Sequence, residues 1–306
     1  MTVRTRRIAV LAVGLGSLVF ATALPSRAGV VDVPVKTTAA NELGGAADGS
    51  WLGWSEAPAD HPGDYRALAS KQGESPISLG APGKVAFVGG ITGTTAVFQQ
   101  TESGNNVNIY RYDLEQQERT KLGNKVNTPN FEFRPSLSGG RLLFGRLALD
   151  SHTQTIRVFT TATGKTRVLD TIHFDATHSV APGQISGKFA VWHRCALTCN
   201  VFEWNRKADT TTKLVNGGGK NQWWAAVAPD GTAYYVREGV QCDSVAKIVA
   251  DPLNGPPEVI FTLPDGTTAS HLSVDDVGAM GRDLYYSKVT CVTPQTFDVR
   301  LLEISP

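Results

Sequence analysis

No local catalytic signature runs through this chain. The nucleophile elbow G-x-S-x-G is absent, which excludes the serine hydrolases built around it. The six histidines (His61, His152, His173, His178, His193 and His271) form no H-x-H or H-E-x-x-H pair, so a metal centre has to be assembled across distant strands. Thr163-Gly164-Lys165-Thr166 imitates the end of a phosphate-binding loop, but Phe159 stands where the leading glycine belongs. Gly217-Gly218-Gly219-Lys220 is followed by Asn221 instead of a hydroxyl residue, so both strings read as turns. Basic runs are missing too. That argues against nucleic acid or an anionic membrane as partner, because phosphate recognition needs concentrated Lys and Arg. Helical periodicity is lacking after the first residues, and no later apolar stretch approaches membrane-spanning length.

The N-terminal stretch reads as an export signal over residues 1–28. Arg4, Arg6 and Arg7 form a basic region, Ile8 to Leu24 an apolar one, and Ser26-Arg27-Ala28 offers small residues for cleavage after Ala28. The Arg6-Arg7 pair leaves the general and twin-arginine routes both open. Removal of four arginines leaves 25 basic against 28 acidic residues, a mixed surface with no bias toward polyanions. The mature chain, residues 29–306, is expected to be a single secreted domain, soluble and monomeric, with no membrane span.

Within it, β-rich segments recur about every 44 to 51 residues. The second strand of each unit shows the repeat: Ser50 to Trp54, Thr95 to Phe98, Arg141 to Phe144, Lys188 to Trp192, Thr232 to Val236 and Asp283 to Tyr286. A unit of that length holds about four strands and cannot bury both its faces alone. Units stacked around an axis form a propeller. The expectation is all-β: a six-bladed β-propeller of four-stranded antiparallel blades over residues 37–80, 84–123, 129–170, 177–216, 221–263 and 270–306. The best-formed unit reads as Phe133 to Leu137, Arg141 to Leu147, Thr155 to Thr160 and Thr166 to Asp170, with a tight turn at Thr163-Gly164. The last unit is one strand short, whereas Val30 to Val35 alternates like a strand with no blade of its own. Residues 29–36 are therefore expected to supply the outer strand of the last blade and close the ring, Pro34 suiting an edge.

The four cysteines fall in the last third of the chain, and an even number in an exported protein reads as disulfides. Cys195 and Cys199 flank one short loop, while Cys242 and Cys291 each follow the second strand of adjacent units. The pairs Cys195–Cys199 and Cys242–Cys291 are expected, and the C-x2-C spacing of a four-thiolate zinc site is absent.

Ala226-Val227-Ala228-Pro229-Asp230-Gly231-Thr232-Ala233-Tyr234-Tyr235 resembles the W-S-P-D-G-x-x-I-x-F core of the WD40-like repeat in TolB-type propellers. Pro135 to Phe144 is a degenerate copy, and Asn108-Ile109-Tyr110-Arg111-Tyr112-Asp113-Leu114 is similar to that family's third-strand pattern. The resemblance implies a six-bladed exported propeller used as an interaction platform. TolB's extra N-terminal domain has no room here, so its envelope role does not carry over. An Asp-box sialidase fits poorly: Ala228 to Ala233 lacks the motif's Ser and Trp, and only Arg134 stands near an inner strand.

Chemistry at the axis is the remaining candidate, because the inner strands converge there. Arg134, His178, the pair Trp223-Trp224 and His271 lie just before or within inner strands of four consecutive units, and together they suit a peptide terminus, a sugar or an anionic group. Asp275-Asp276 points to opposite faces of a strand and reads as a turn or bulge. Gln99-Gln100-Thr101 reads as strand-end polar groups, and of Trp51 and Trp54 at least one is expected in the core. No cofactor is expected, although a structural cation in the channel is compatible with the pattern. The expected function is a binding scaffold for an extracytoplasmic protein or small polar ligand, without catalysis. The alternative is a propeller enzyme acting on a carbohydrate or lactone, with residues drawn from several blades.

Overall fold

The computed structural model describes residues 29–305 except 104–105, 215–218, 240–241, 243, 277–280 and 294. The expected export signal, residues 1–28, lies outside the described residues. Among these, no helix is formed and none is long and apolar enough to cross a membrane.

Alternating apolar and polar residues, punctuated by turn residues, give a succession of antiparallel meanders. The first strand is β1 (Val30–Lys36). It is followed by β2 (Asn41–Asp48), β3 (Trp51–Ala57), β4 (Arg66–Lys71) and β5 (Ile77–Ser78), and then by β6 (Ala86–Thr92), β7 (Thr95–Thr101), β8 (Val107–Asp113) and β9 (Glu118–Lys121). Next come β10 (Phe131–Ser138), β11 (Arg141–Ala148), β12 (Thr153–Thr160) and β13 (Lys165–His173), then β14 (His178–Ser186), β15 (Phe189–Ala196), β16 (Thr198–Asn205) and β17 (Thr210–Lys213). The chain ends with β18 (Gln222–Val227), β19 (Ala233–Arg237), β20 (Lys247–Asp251), β21 (Glu258–Thr262), β22 (Thr267–Asp276), β23 (Arg282–Thr290) and β24 (Phe297–Ile304).

Four sheets stand apart as four-stranded antiparallel blades: β2–β5, β14–β17, β18–β21, and β22–β24 completed by β1. The expectation of six separate blades is corrected here, because β6–β9 and β10–β13 share one eight-stranded sheet. The two meanders are joined by a parallel contact at which Phe131 pairs with Val107. Inner strands of other units also lie against the preceding third strand, but among the described residues only β10 forms a ladder pair with it, at Phe131.

The ring closes as the N-terminal alternation implied. β1 pairs antiparallel with β24 from Val30↔Ile304 to Pro34↔Arg300, and the register breaks just after Pro34, which cannot donate to a ladder. Arg300 clamps the same joint through Nε and an Nη to the two carboxylate oxygens of Asp32, at 2.8 and 2.9 Å. The inner strands β2, β6, β10, β14, β18 and β22 pack against one another in cyclic order, β22 returning to β2. Apolar side chains fill the wedges between sheets. Ile156, Val158, Val180, Ile185, Ala190 and Trp192 form one such layer, and Tyr234, Val236, Ile248, Leu284, Tyr286 and Leu302 another. Trp54 is fully buried while Trp51 is only half-buried, so one of the two belongs to the core. Both expected disulfides are present, Cys195–Cys199 and Cys242–Cys291.

Candidate functional site

Every inner strand breaks register against its second strand at the same level. The shifts fall between Leu43 and Gly45, Val88 and Gly90, Phe133 and Ser136, Pro182 and Ile185, Trp223 and Ala226, and Ser270 and Ser273. A bulge bends its strand and re-aims the unpaired residue. Repeated around the ring, it directs Gly44, Gly89, Arg134, Gly183, Trp224 and His271 at a common axial cavity of about 220 Å³. Arg134, Trp224 and His271 hold φ at 47°, 51° and 52°. That left-handed region costs a bulky residue about 1–2 kcal/mol, and such outliers persist where surrounding structure holds them in place.

Glycines make the narrow axis feasible. A Cβ on Gly89 would come within 1.9 Å of the Pro135 carbonyl oxygen, and one on Gly183 within 2.1 Å of the Ala225 carbonyl oxygen. No side chain fits there, so neighbouring inner strands approach to backbone contact at these two points.

The three large side chains meet. The Arg134 guanidinium stands 4.0 Å from the centre of the Trp224 ring, and the Trp224 and His271 rings lie 4.4 Å apart. His193, from second strand β15, joins from the flank with its ring 5.5 Å from Trp223 and 5.9 Å from Trp224. Burial and the Arg134 charge together push both His193 and His271 down to about 3, so both are neutral across the physiological range. Desolvation alone lowers Arg134 to about 10, which leaves it a cation at neutral pH. Its backbone N–H donates to Gln99 Oε1 at 2.6 Å, but no carboxylate or carbonyl accepts from its guanidinium among the described residues. Two further buried atoms lack a hydrogen-bond partner beside it, His193 Nδ1 and Trp223 Nε1. His271 Nδ1 is within 3.0 Å of Ser270 Oγ.

The site extends off axis. A second cavity of about 430 Å³ shares Gln99, Arg134 and Trp224 with the first and runs on along Phe131, Phe133, Leu147, Val180, His193 and Trp223. Both disulfides lie at this same end of the ring. Cys195 and Cys199 line a cavity that also meets Trp223, while Cys242 and Cys291 line one that meets Trp224 and His271. No acidic side chain among the described residues lines either the axial cavity or its off-axis lobe. Among the described residues no group of three or more His, Cys, Asp or Glu is placed to hold a metal ion.

Of the residues singled out from sequence, Arg134, Trp224 and His271 converge, and Trp223 lines the adjoining lobe. His178 does not join them. It opens β14 at the surface, where its Nδ1 lies 2.9 Å from Asp175 Oδ1 and the Asp175 carboxyl is held far below its usual range by the Thr177 and His178 hydrogen bonds. His193 takes its place. Its signal lies on a second strand and not an inner one: alternation along β15 puts Phe189, Val191, His193 and Cys195 on one face, the row whose Phe189 and Val191 pack against Ala225 and Val227. Gln99 and Gln100 are also more than strand-end polar groups. Gln99 anchors the Arg134 backbone, and Gln100 Oε1 accepts from the Ala81 N–H at 2.7 Å.

No protein-family model matches this chain, and neither does any curated protein. Solved structures do. A Dyadobacter fermentans protein of unknown function is 14% identical, with a TM-score of 0.59 over 92% of this chain and 100% of that one. TolB from Acinetobacter baumannii is 13% identical, with a TM-score of 0.54 over 89% of this chain and 66% of TolB. The β-propeller domain of the Trilobed protease from Pyrococcus furiosus, described as having an open velcro topology, is 11% identical, with a TM-score of 0.54 over 87% of this chain and 94% of that domain. The chain spans only 41% of a prolyl endopeptidase that it also matches. At such identities these likenesses speak of fold alone, and with the sheet order above they make the chain a β-propeller of four-stranded antiparallel blades, similar in fold to TolB and to protease propeller domains.

Proposed function

We propose that this chain is an extracytoplasmic, TolB-like propeller of six blades that binds a ligand or an exported protein at its axial cavity and performs no catalysis. The eight-stranded sheet counts as two blades in this reading, because β6–β9 and β10–β13 are each a complete meander joined by one parallel contact. Residues 29–306 form one monomeric domain. Two disulfides support an oxidising compartment. The observation that carries the reading is the convergence of Arg134, Trp224 and His271 on one cavity from three bulged strands. Binding sites are concave, largely apolar and served by a few convergent polar groups.

The enzyme alternative has one observation in its favour, the three groups with displaced titration, Arg134, His193 and His271, around the same cavity. Glycoside cleavage, however, needs a pair of carboxyl groups across the bond, and the described lining offers none. Histidines that protonate only near pH 3 are feeble bases for opening a lactone.

The test is capture of exported proteins and small molecules on the immobilised chain and on Trp224→Ala. Loss of the captured species in the variant supports the reading. Capture that is indifferent to Trp224 places the interaction on another surface and rejects it.

A further inference from the structure

We infer that the axial cavity is a receptor for a single carboxylate attached to an apolar body, with Arg134 as its counter-ion and the off-axis lobe as the seat of the apolar part. The inference deepens the binding reading and rests on it.

Four features of the cavity define the guest. First, Arg134 brings a positive charge to the axis with no acidic partner among the described residues. A desolvated cation without a counter-ion is unfavourable, so the site is completed by an anion. Second, the polar groups around it are donors or neutral. The guanidinium presents a planar fork of N–H groups, the Trp223 indole N–H is unsatisfied, and the two neighbouring histidines carry no charge at neutral pH. An acceptor-only, planar guest matches that set, and the guanidinium fork matches a carboxylate in bidentate fashion. Third, among the described residues Arg134 is the one cation lining either lobe, so a dianionic phosphate would remain half neutralised, whereas a monoanion is balanced. Fourth, the lobe that opens beside Arg134 is walled by Phe131, Phe133, Leu147, Val180 and Trp223. Apolar area buried there favours a hydrophobic acid over a bare carboxylate.

The arrangement is held in a strained state by the fold. Arg134 reaches the axis only because its φ is 47°, and its backbone is pinned there by Gln99 of the preceding meander. Trp224 presents its face at 4.0 Å, so the cation is supported from one side by a ring and keeps its N–H edges free for the guest. The carboxylate has two sources, a free hydrophobic acid or the C-terminus of a peptide ending in an apolar residue.

Calorimetric titration of the full chain with phenylacetate, with phenylacetamide, and with an acetylated Ala-Ala-Phe peptide bearing a free or an amidated C-terminus tests the inference. Phenylacetate is expected to bind at least about tenfold more tightly than phenylacetamide, a difference of about 1.4 kcal/mol. Arg134→Gln removes that preference, Arg134→Lys retains part of it, and Trp223→Phe weakens the acid a few-fold while leaving the apolar wall. Unfolding midpoints of each variant guard against misfolding. If the free-carboxylate peptide binds and its amide does not, the source is a chain terminus; if only phenylacetate binds, it is a free acid. Equal binding of acid and amide, unchanged in Arg134→Gln but lost in Trp224→Ala, overturns the carboxylate while preserving the cavity as a site. Binding of the acid that ignores both Arg134 and Trp224 overturns the cavity reading as well. No heat with any probe up to on the order of 10 mM overturns the carboxylate inference, leaving partner capture to judge the cavity.

Discussion

Where the inner strands finish, meander meets meander through satisfied hydrogen bonds. Ile185 N–H donates to Ser136 Oγ and Gly187 N–H to Ser138 Oγ, both at 3.1 Å, and Gly93 N–H donates to Asp48 at 2.7 Å. Gln184 alone joins three inner strands: its Nε2 donates to the Val274 carbonyl at 2.8 Å, and its Oε1 accepts from Val274 N–H at 2.9 Å and Val227 N–H at 3.3 Å. Where the inner strands begin, the same ring is strained, aromatic and cationic, with unsatisfied atoms on His193 and Trp223 and both disulfides closing nearby loops. One end is fastened by polar side chains spent on the backbone; the other spends some in the same way, as Gln99 does on Arg134, but also carries buried atoms of His193 and Trp223 that have no partner among the described residues. Buried polar groups left without partners destabilise a fold, and those of His193 and Trp223 stand beside Arg134 on the lining of the off-axis lobe.

This contrast can be broken most severely in the middle, where both ends depend on strand proximity. Gly89→Ala or Gly183→Ala forces a methyl group into a carbonyl oxygen of the adjacent inner strand. A loss of about 4–5 kcal/mol is expected, seen as a collapse of the denaturant midpoint. Gly73→Ala, at positive φ but with open space around it, should cost only about 1 kcal/mol. Next in size is the disulfide pair at the strained end. Cys242–Cys291 spans 49 residues and Cys195–Cys199 only 4, so loop-closure entropy assigns about 4 kcal/mol to the first and about 2 to the second. Serine pairs at each, compared by chemical unfolding, should fall in that order.

At the stitched end, Gln184→Leu leaves the Val227 and Val274 groups unmet and should cost about 3 kcal/mol, again by chemical unfolding. At the strained end, acid should act through His193 and His271, both held near 3, and His193 serves to isolate one share. Its folded value lies near 3 against an ordinary 6.5, so below pH 6.5 the unfolded chain takes up a proton that the fold refuses. Stability is complete above pH 6.5 and is lost progressively as pH falls toward 3, by on the order of 2 kcal/mol at pH 5. Unfolding midpoints of wild type and His193→Phe across that window should diverge, with the variant flatter; parallel curves would place the acid sensitivity elsewhere. The smallest effect has the opposite sign. Arg134→Met removes a desolvated charge with no acidic partner among the described residues and is expected to raise stability by about 1 kcal/mol, read as a higher melting temperature. Gain at Arg134 set against loss at Gln184 is the sharpest form of the comparison, and a loss at both would erase it.

Much of the architecture was legible because β periodicity is local. The third meander, expected from Phe133 to Asp170, is built from Phe131 to His173 with the same four strands, and Val30 to Val35 closes the ring as its alternation and lone proline implied. The shared eight-stranded sheet was not legible, since a single Phe131–Val107 contact between sequence-distant strands leaves no periodic trace. Arg134, Trp224 and His271 were found because inner strands must converge. Position near a strand start points to His178 as well, but a neighbouring Asp175 holds it at the surface. His193 is not legible in the same way, because it reaches the site sideways from a second strand.

The sequence by itself determined the class of structure, the repeat, the closing strand and the pairing of its cysteines, all of which follow from local alternation and from the order of units around a ring. Only the tertiary structure decided what the axis contains. A register shift repeated in six inner strands turns glycine, arginine, tryptophan and histidine toward one point, and the burial that neutralises two histidines while leaving one arginine charged depends on neighbours drawn from different meanders. Desolvation and left-handed backbone conformations are properties of a packed environment, and no spacing along the chain encodes them.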